Sequence, residues 1–290
     1  MKHLSLLAFI AIIFVSASCG APDSIGNLPS RYIKMDSVSI HYKTFGTEDK
    51  TIVFVHGFGC DMNAWSEQFL PLQGVAKMVF IDLPGFGQSD KPHTDYTLDY
   101  FAKAVKTVLD ELNISNALLV GHSLGTPVCR EVIFDYPDLA GGLCDVDGVY
   151  CLYPEDSIAK IEYEAQVNGF AESFKSDSLE ADLTAFTQSL FGPSTPQFVK
   201  DYALSVMPET ESYIAYSTMF NLIQKKYWTK EVISVPSLII CTKNSGLQPD
   251  NRQQMESLYT NMQYEELDAT GHFIMMEEPE WLNNLLITIF

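Results

Sequence analysis

Short runs that are apolar on both faces recur along this chain, and they constrain its fold more than any other feature. Residues 51–55 read Thr-Ile-Val-Phe-Val, 77–82 read Lys-Met-Val-Phe-Ile-Asp, 117–120 read Ala-Leu-Leu-Val and 237–240 read Ser-Leu-Ile-Ile. A strand with no polar face must be covered from both sides, which is the condition of a central parallel sheet between helices. Residues 37–42 alternate in the manner of a further strand. Between the runs lie helical patterns, clearest over 97–112, where Phe101, Val105, Val108, Leu109 and Leu112 recur at helical spacing. Alternating strands and helices predict an α/β fold with a doubly wound, mostly parallel sheet.

The alternation stops at about Tyr150 and resumes at Val235-Pro236. The intervening stretch reads as helices rich in Tyr, Phe, Met and Glu, punctuated by Gly192-Pro193 and Pro208. We expect an inserted helical lid over 150–234 and a core made of 37–149 and 235–290. Phe170, Phe174, Phe186, Phe191, Tyr213, Tyr216, Met219 and Phe220 fall in the lid. Some of them must form its own core, and the rest are expected to line an apolar pocket.

The first 19 residues read as a signal peptide. Lys2 and His3 precede an apolar run from Leu4 to Val15, too short to span a bilayer comfortably, and small residues follow. Cys19 stands where a bacterial lipoprotein signal places its lipidated cysteine. Ser16 departs from the usual aliphatic residue three positions earlier, and cleavage after Ala17 is the alternative. Residues 20–36 are expected to be a tether, and the protein to be exported to the cell envelope. The other cysteines, Cys60, Cys129, Cys144, Cys151 and Cys241, contain no C-x-x-C and suggest neither a zinc site nor a disulfide framework. Cys144 and Cys151 are the nearest pair in sequence.

Eighteen Lys and Arg against 37 Asp and Glu give a formal net charge of −19. Such a surface repels a phosphate backbone, so nucleic acid is not an expected partner. It also offers no basic patch for anionic lipids, which leaves the membrane approachable only through a lipid on Cys19. No metal-ligand cluster or dinucleotide fingerprint implies a cofactor.

The chemistry concentrates in Gly121-His122-Ser123-Leu124-Gly125, directly after the run at 117–120 and before a helical pattern. A strand that turns abruptly into a helix strains the corner residue, and glycines on either side relieve the crowding. Ser123 would then project from the C-terminal edge of the sheet at a helix N-terminus, where negative charge is favoured. Two further motifs accompany it: His56-Gly57-Phe58-Gly59, and an Asp82 to Ser89 loop of pattern D-x-x-G-x-G-x-S. Near the C-terminus, Gly271-His272-Phe273 is followed by Glu277 and Pro279.

On these motifs the sequence resembles the α/β-hydrolase family, in its lid-bearing, esterase-like branch, from residue 37 to the C-terminus. The resemblance implies Ser123 as nucleophile, His272 as general base, and the backbone N–H groups of Phe58 and Leu124 as the oxyanion hole. His56 and His122 are expected to shape their loops by hydrogen bonding, and His41 belongs to no motif.

The acid departs from the family pattern. After the strand at 238–242 the expected aspartate position is Ser245, which supplies no charge, and Asp250 lies beyond Pro249. Asp147 ends the preceding strand, and in some relatives of this fold the acid sits there, beside the histidine loop. Asp147 is therefore the expected third member. Asp145, two residues earlier, would lie deeper in the sheet and need a partner.

A serine at the elbow does not fit the epoxide hydrolases and haloalkane dehalogenases of this fold, which use an aspartate nucleophile. The expected substrate is a small-to-medium carboxylic ester with an apolar acyl group. A C–C bond hydrolase is the second reading, and a ligand-binding protein on a hydrolase scaffold is the third, motivated by Ser245.

Overall fold

The computed structural model describes residues 22–150, 157–176, 178–228, 232–243 and 251–289. The leader with Cys19, together with Cys151, Ser245 and Asp250, lies outside them. The described strands form one eight-stranded sheet in the order β1-β2-β4-β3-β5-β6-β7-β8. These are β1 (Arg31–Met35), β2 (Val38–Phe45), β3 (Thr51–Val55), β4 (Lys77–Ile81), β5 (Ala117–His122), β6 (Ala140–Val146), β7 (Ser237–Thr242) and β8 (Met262–Leu267). Strands β1 and β2 form an antiparallel hairpin, and β2 also runs antiparallel to β4. From β4 onward every pairing is parallel.

Burial follows that order. Every residue of β3 and β5 is buried, as their apolar composition demands of central strands. The edge strands β1 and β8 are half exposed and correspondingly polar. Helices α1 (Ser66–Phe69), α2 (Leu98–Glu111) and α3 (Gly125–Asp135) flank the first half of the sheet. The Thr97 hydroxyl accepts the Tyr100 N–H and starts α2 where the sequence places it. Helices α4 (Ser157–Ser173), α5 (Leu179–Ser189), α6 (Gln197–Val206) and α7 (Ser212–Leu222) form an insertion between β6 and β7. Helices α8 (Asn251–Leu258), α9 (Ile274–Glu277) and α10 (Pro279–Thr288) complete the chain. Among the described residues no helix is long and apolar enough to cross a membrane.

The expected tether at 20–36 requires correction. Ile25 and Leu28 are buried, and residues 31–35 are β1. The buried Lys43 ammonium donates to the carbonyls of Ile25 and Gly26 at 3.0 and 3.2 Å. His41 lies between Asp82, whose carboxylate meets its Nδ1 at 2.7 Å, and the Ser30 hydroxyl at 2.9 Å from its Nε2. The core therefore begins by Ile25. A polar-looking segment is ordered here because it satisfies buried polar groups of β2.

Candidate active site

Strand β5 ends at an abrupt strand-to-helix corner. Ser123 follows it with φ of +52°, in the left-handed region that side chains rarely occupy, and donates its N–H to the Val146 carbonyl at 3.2 Å. Holding a non-glycine residue there costs energy that the surroundings must offset. The turn closes because Gly125 lacks a side chain: a Cβ on it would lie 2.2 Å from the Val55 carbonyl oxygen. The hydroxyl-bearing residue is thus pressed against the C-terminal edge of the sheet at the start of α3.

Asp147 follows the next strand in chain order and lies on the same edge. Strand β6 runs between β5 and β7, with Val146 opposite both His122 and Ile240. Asp147 then leaves the strand with φ of +51° and donates its N–H to the Ile240 carbonyl at 2.7 Å. Its Oδ1 accepts the Thr242 N–H at 3.0 Å, and its Oδ2 lies 2.6 Å from Nδ1 of His272. The carboxylate is buried, so this contact is a charge-assisted hydrogen bond in a water-poor setting.

Backbone contacts fix the histidine from two further directions. The His272 N–H donates to the Leu190 carbonyl of the insertion at 2.9 Å. Its own carbonyl accepts Nε2–H of His122, also at 2.9 Å. That bond leaves His122 Nδ1 without a proton. Burial, and then the neighbouring His272 ring, hold the His122 pKa well below the ordinary imidazole value. His56 shapes its loop similarly: Nε2 accepts the Leu83 N–H at 3.0 Å, so Nδ1–H donates to the Gly57 carbonyl at 2.8 Å.

Ser123 and His272 open onto one cavity of about 210 Å³. Phe58, Phe170, Phe186, Met207, Met219 and Leu222 form part of its wall, all but Phe58 from the insertion, and among the described residues no Asp, Glu, Lys or Arg lines it. Phe174 packs behind Phe58, Phe170 and Phe186. Tyr213, Tyr216 and Phe220 are elsewhere, along an outer groove with His93. Phe58 and Leu124 border the cavity, and among the described residues neither backbone N–H finds an acceptor. Cys60 also borders it, but burial pushes its thiol up and keeps it protonated.

Asp145 points away from the cavity. Because Asp147 has left the strand, the alternation that would align the two carboxylates ends at Val146. Asp145 accepts the Thr126 hydroxyl at 3.0 Å, the Gly148 N–H at 2.7 Å and the Tyr150 hydroxyl. Burial raises its pKa to about 6, against the downward pull of those donors. Cys60, Cys129, Cys144 and Cys241 are free and buried.

Sequence reasoning named Ser123, His272, Asp147, Phe58 and Leu124; four of them line one cavity, and Asp147 reaches it only through its contact with His272. It missed Leu190, whose contribution is a backbone carbonyl that any residue could supply. It left open which loop contact His122 makes.

The sequence profile of the family described as alpha/beta hydrolase fold matches residues 50–279. Epoxide hydrolase 1 of Caenorhabditis elegans is 24% identical over 291 residues, covering 90% of this chain and 70% of that protein. Epoxide hydrolase 4 of Homo sapiens is 22% identical over 299 residues, covering 93% of this chain and 81% of that protein. An esterase, EaEST, from Exiguobacterium antarcticum superposes with a TM-score of 0.77 at 18% identity, over 90% of this chain and 99% of its own. At that identity the superposition speaks for the fold alone.

Proposed function

The chain belongs to the alpha/beta hydrolase fold family, and we propose that it is a serine hydrolase cleaving small-to-medium carboxylic esters with an apolar acyl group. The observation that carries this reading is the 2.6 Å contact between His272 Nδ1 and Asp147, beside the cavity that Ser123 enters.

Asp147 holds Nδ1 protonated, which leaves Nε2 of His272 to act as base. Ser123 Oγ attacks the ester carbonyl while Nε2 takes its proton, and the carbonyl π electrons move onto oxygen. The N–H groups of Phe58 and Leu124 stabilise that oxyanion, each such donor being worth about 3 kcal/mol of barrier. Collapse expels the alcohol, which takes the proton from His272. Water then repeats the sequence on the acyl-enzyme and releases the acid. The apolar side chains that the described residues give the cavity wall suit an apolar acyl group.

Epoxide hydrolases among the relatives invite a different reading. A carboxylate that opens an epoxide forms an ester, which water can hydrolyse. A serine oxygen would form an ether, which has no carbonyl for water to attack, and the cycle would stop. Ser123 therefore favours acyl chemistry. The ligand-binding reading rested on Ser245, and Asp147 offers His272 the carboxylate that position lacks.

Intact mass after treatment with a fluorophosphonate tests the reading directly. One adduct on the wild type and none on Ser123→Ala is the expected result, with matching loss of p-nitrophenyl ester turnover. Epoxide turnover that survives Ser123→Ala would overturn it.

The leader extends the proposal to location: export, with a lipid on Cys19 holding the domain at the cell envelope. Metabolic labelling with a fatty acid that is lost in Cys19→Ser is the expected outcome; equal labelling, or none, refutes the anchor.

A further inference from the structure

The backbone N–H groups of Gly271, His272 and Phe273 all find acceptors, and one side chain takes two of the three. Glu277 ends α9, five residues beyond the histidine. Its Oε2 accepts the Gly271 N–H at 2.9 Å, and its Oε1 accepts the Phe273 N–H at 3.2 Å. These amides flank His272 on either side. The same Oε2 accepts the Thr195 hydroxyl of the insertion at 2.8 Å, and Thr195 Oγ1 in turn accepts the Gly192 N–H at 2.8 Å. Nearby, the Ser194 hydroxyl donates to the Ala269 carbonyl at 2.5 Å.

The packing leaves no slack between these parts. A Cβ on Gly192 would lie 2.7 Å from the Gly271 nitrogen, and a Cβ on Gly271 would lie 2.5 Å from the Gly192 nitrogen. Two backbones therefore touch, with the carboxylate of Glu277 closing the gap beside them.

We propose that Glu277 is a positioning residue for His272, its carboxylate clamping the amides on both sides of the histidine and locking them to Thr195 of the insertion. The proposal rests on His272 serving as the base. Glu277 never meets the substrate. It fixes the backbone from which the imidazole projects, so that the ring stays at the cavity shared with Ser123 while Nδ1 stays on Asp147. Charge-assisted bonds are stronger than neutral ones, and three donors converging on one carboxylate hold a loop more tightly than backbone turns alone. Displacement of a catalytic group by about 1 Å can cost about 100-fold in rate, and that is the scale expected for losing the clamp.

The test compares Glu277→Ala, Glu277→Gln and the wild type, with Glu280→Gln as a control for loss of charge on the neighbouring helix. Each protein is assayed for kcat and KM per active site titrated with fluorophosphonate, for the rate of that labelling, and for Tm. Glu277→Ala is expected to lose about 100-fold in kcat and a similar factor in labelling rate, with KM little changed. Glu277→Gln keeps one acceptor oxygen but turns an NH2 toward the amide on the other side, and is expected to fall between the Ala variant and the wild type.

A lower Tm with unchanged kcat per titrated site would assign Glu277 a structural role only and overturn the proposal. So would a Gln variant as fast as the wild type, because an NH2 facing one of the two amides would then cost nothing and the two-sided clamp would not be what matters. Should the wild type itself take no label, the serine-hydrolase reading fails first and this inference falls with it. Should the wild type label and Glu277→Ala label equally fast, only the inference fails.

Discussion

Asp147 and His272 meet at 2.6 Å although 125 positions separate them in the chain. The contact exists because β6, β7 and the loop after β8 deliver three successive segments to one edge of the sheet. Asp147→Asn keeps the shape but can present an N–H to Nδ1, which favours the wrong tautomer of the imidazole. The expected cost is about 10⁴-fold in kcat with the fold retained. Steady-state kinetics alongside circular dichroism check both halves; activity within about tenfold of wild type would remove Asp147 from the mechanism.

The elbow is expected to tolerate no side chain at Gly125. An alanine Cβ would sit 2.2 Å from the Val55 carbonyl oxygen, which is backbone and cannot step aside. Gly125→Ala is expected to cost about 3 kcal/mol or more. Gly169 in α4 offers the contrast, since a Cβ there would meet nothing within 4 Å. Gly169→Ala is expected to gain about 0.5–1 kcal/mol. Urea melts of the pair would reveal whether the crowding is confined to the elbow.

Asp145 predicts a pH dependence of stability. Its folded pKa of about 6 lies above the ordinary 3.8, because burial penalises the ionised form. Below about pH 4 the group is protonated folded or unfolded and contributes nothing to the slope. As pH rises toward 6 the unfolded chain releases this proton first, and the folded state loses stability relative to it. The fall amounts to about 3 kcal/mol and is complete just above pH 6. Subtracting the denaturation profile of Asp145→Asn from that of the wild type isolates it; a difference flat between pH 4 and 7 would contradict the assignment.

Phe186 walls the cavity and meets the rings of Phe58, Phe170 and Phe174. Phe186→Ala is expected to move the preferred acyl chain to greater length. The ratio of kcat/KM for an octanoyl over an acetyl p-nitrophenyl ester should rise by about tenfold, the scale of one or two methylenes in an apolar pocket. An unchanged ratio would place the acyl group elsewhere.

The central strands were legible because burial on both faces leaves a signature in composition: β3, β4, β5 and β7 are each short apolar runs. Strand β8, Met-Gln-Tyr-Glu-Glu-Leu, and strand β1, Arg-Tyr-Ile-Lys-Met, carry no such signature, because an edge strand shows one face to water. For the same reason residues 20–36 read as a tether while Ile25 was already in the core. Ser123 could be found from its glycines, since they answer a local steric demand. Asp147 could be reached because the usual position holds Ser245 and a strand end offered a carboxylate. Leu190 left no trace at all, because a carbonyl oxygen is common to every residue.

The contact between Gly192 and Gly271 bears on how such a chain can be recombined. Insertions are often pictured as interchangeable caps, swapped to alter specificity while the underlying scaffold is kept. Here the stretch 190–195 belongs to the scaffold by its contacts, although it belongs to the insertion by its place in the chain. A graft that exchanges residues 157–189 and 196–228 but leaves 190–195 in place would carry over the pocket wall and spare the histidine. One that replaces the whole segment would import a foreign support for His272, and its specificity and its rate would be expected to change together.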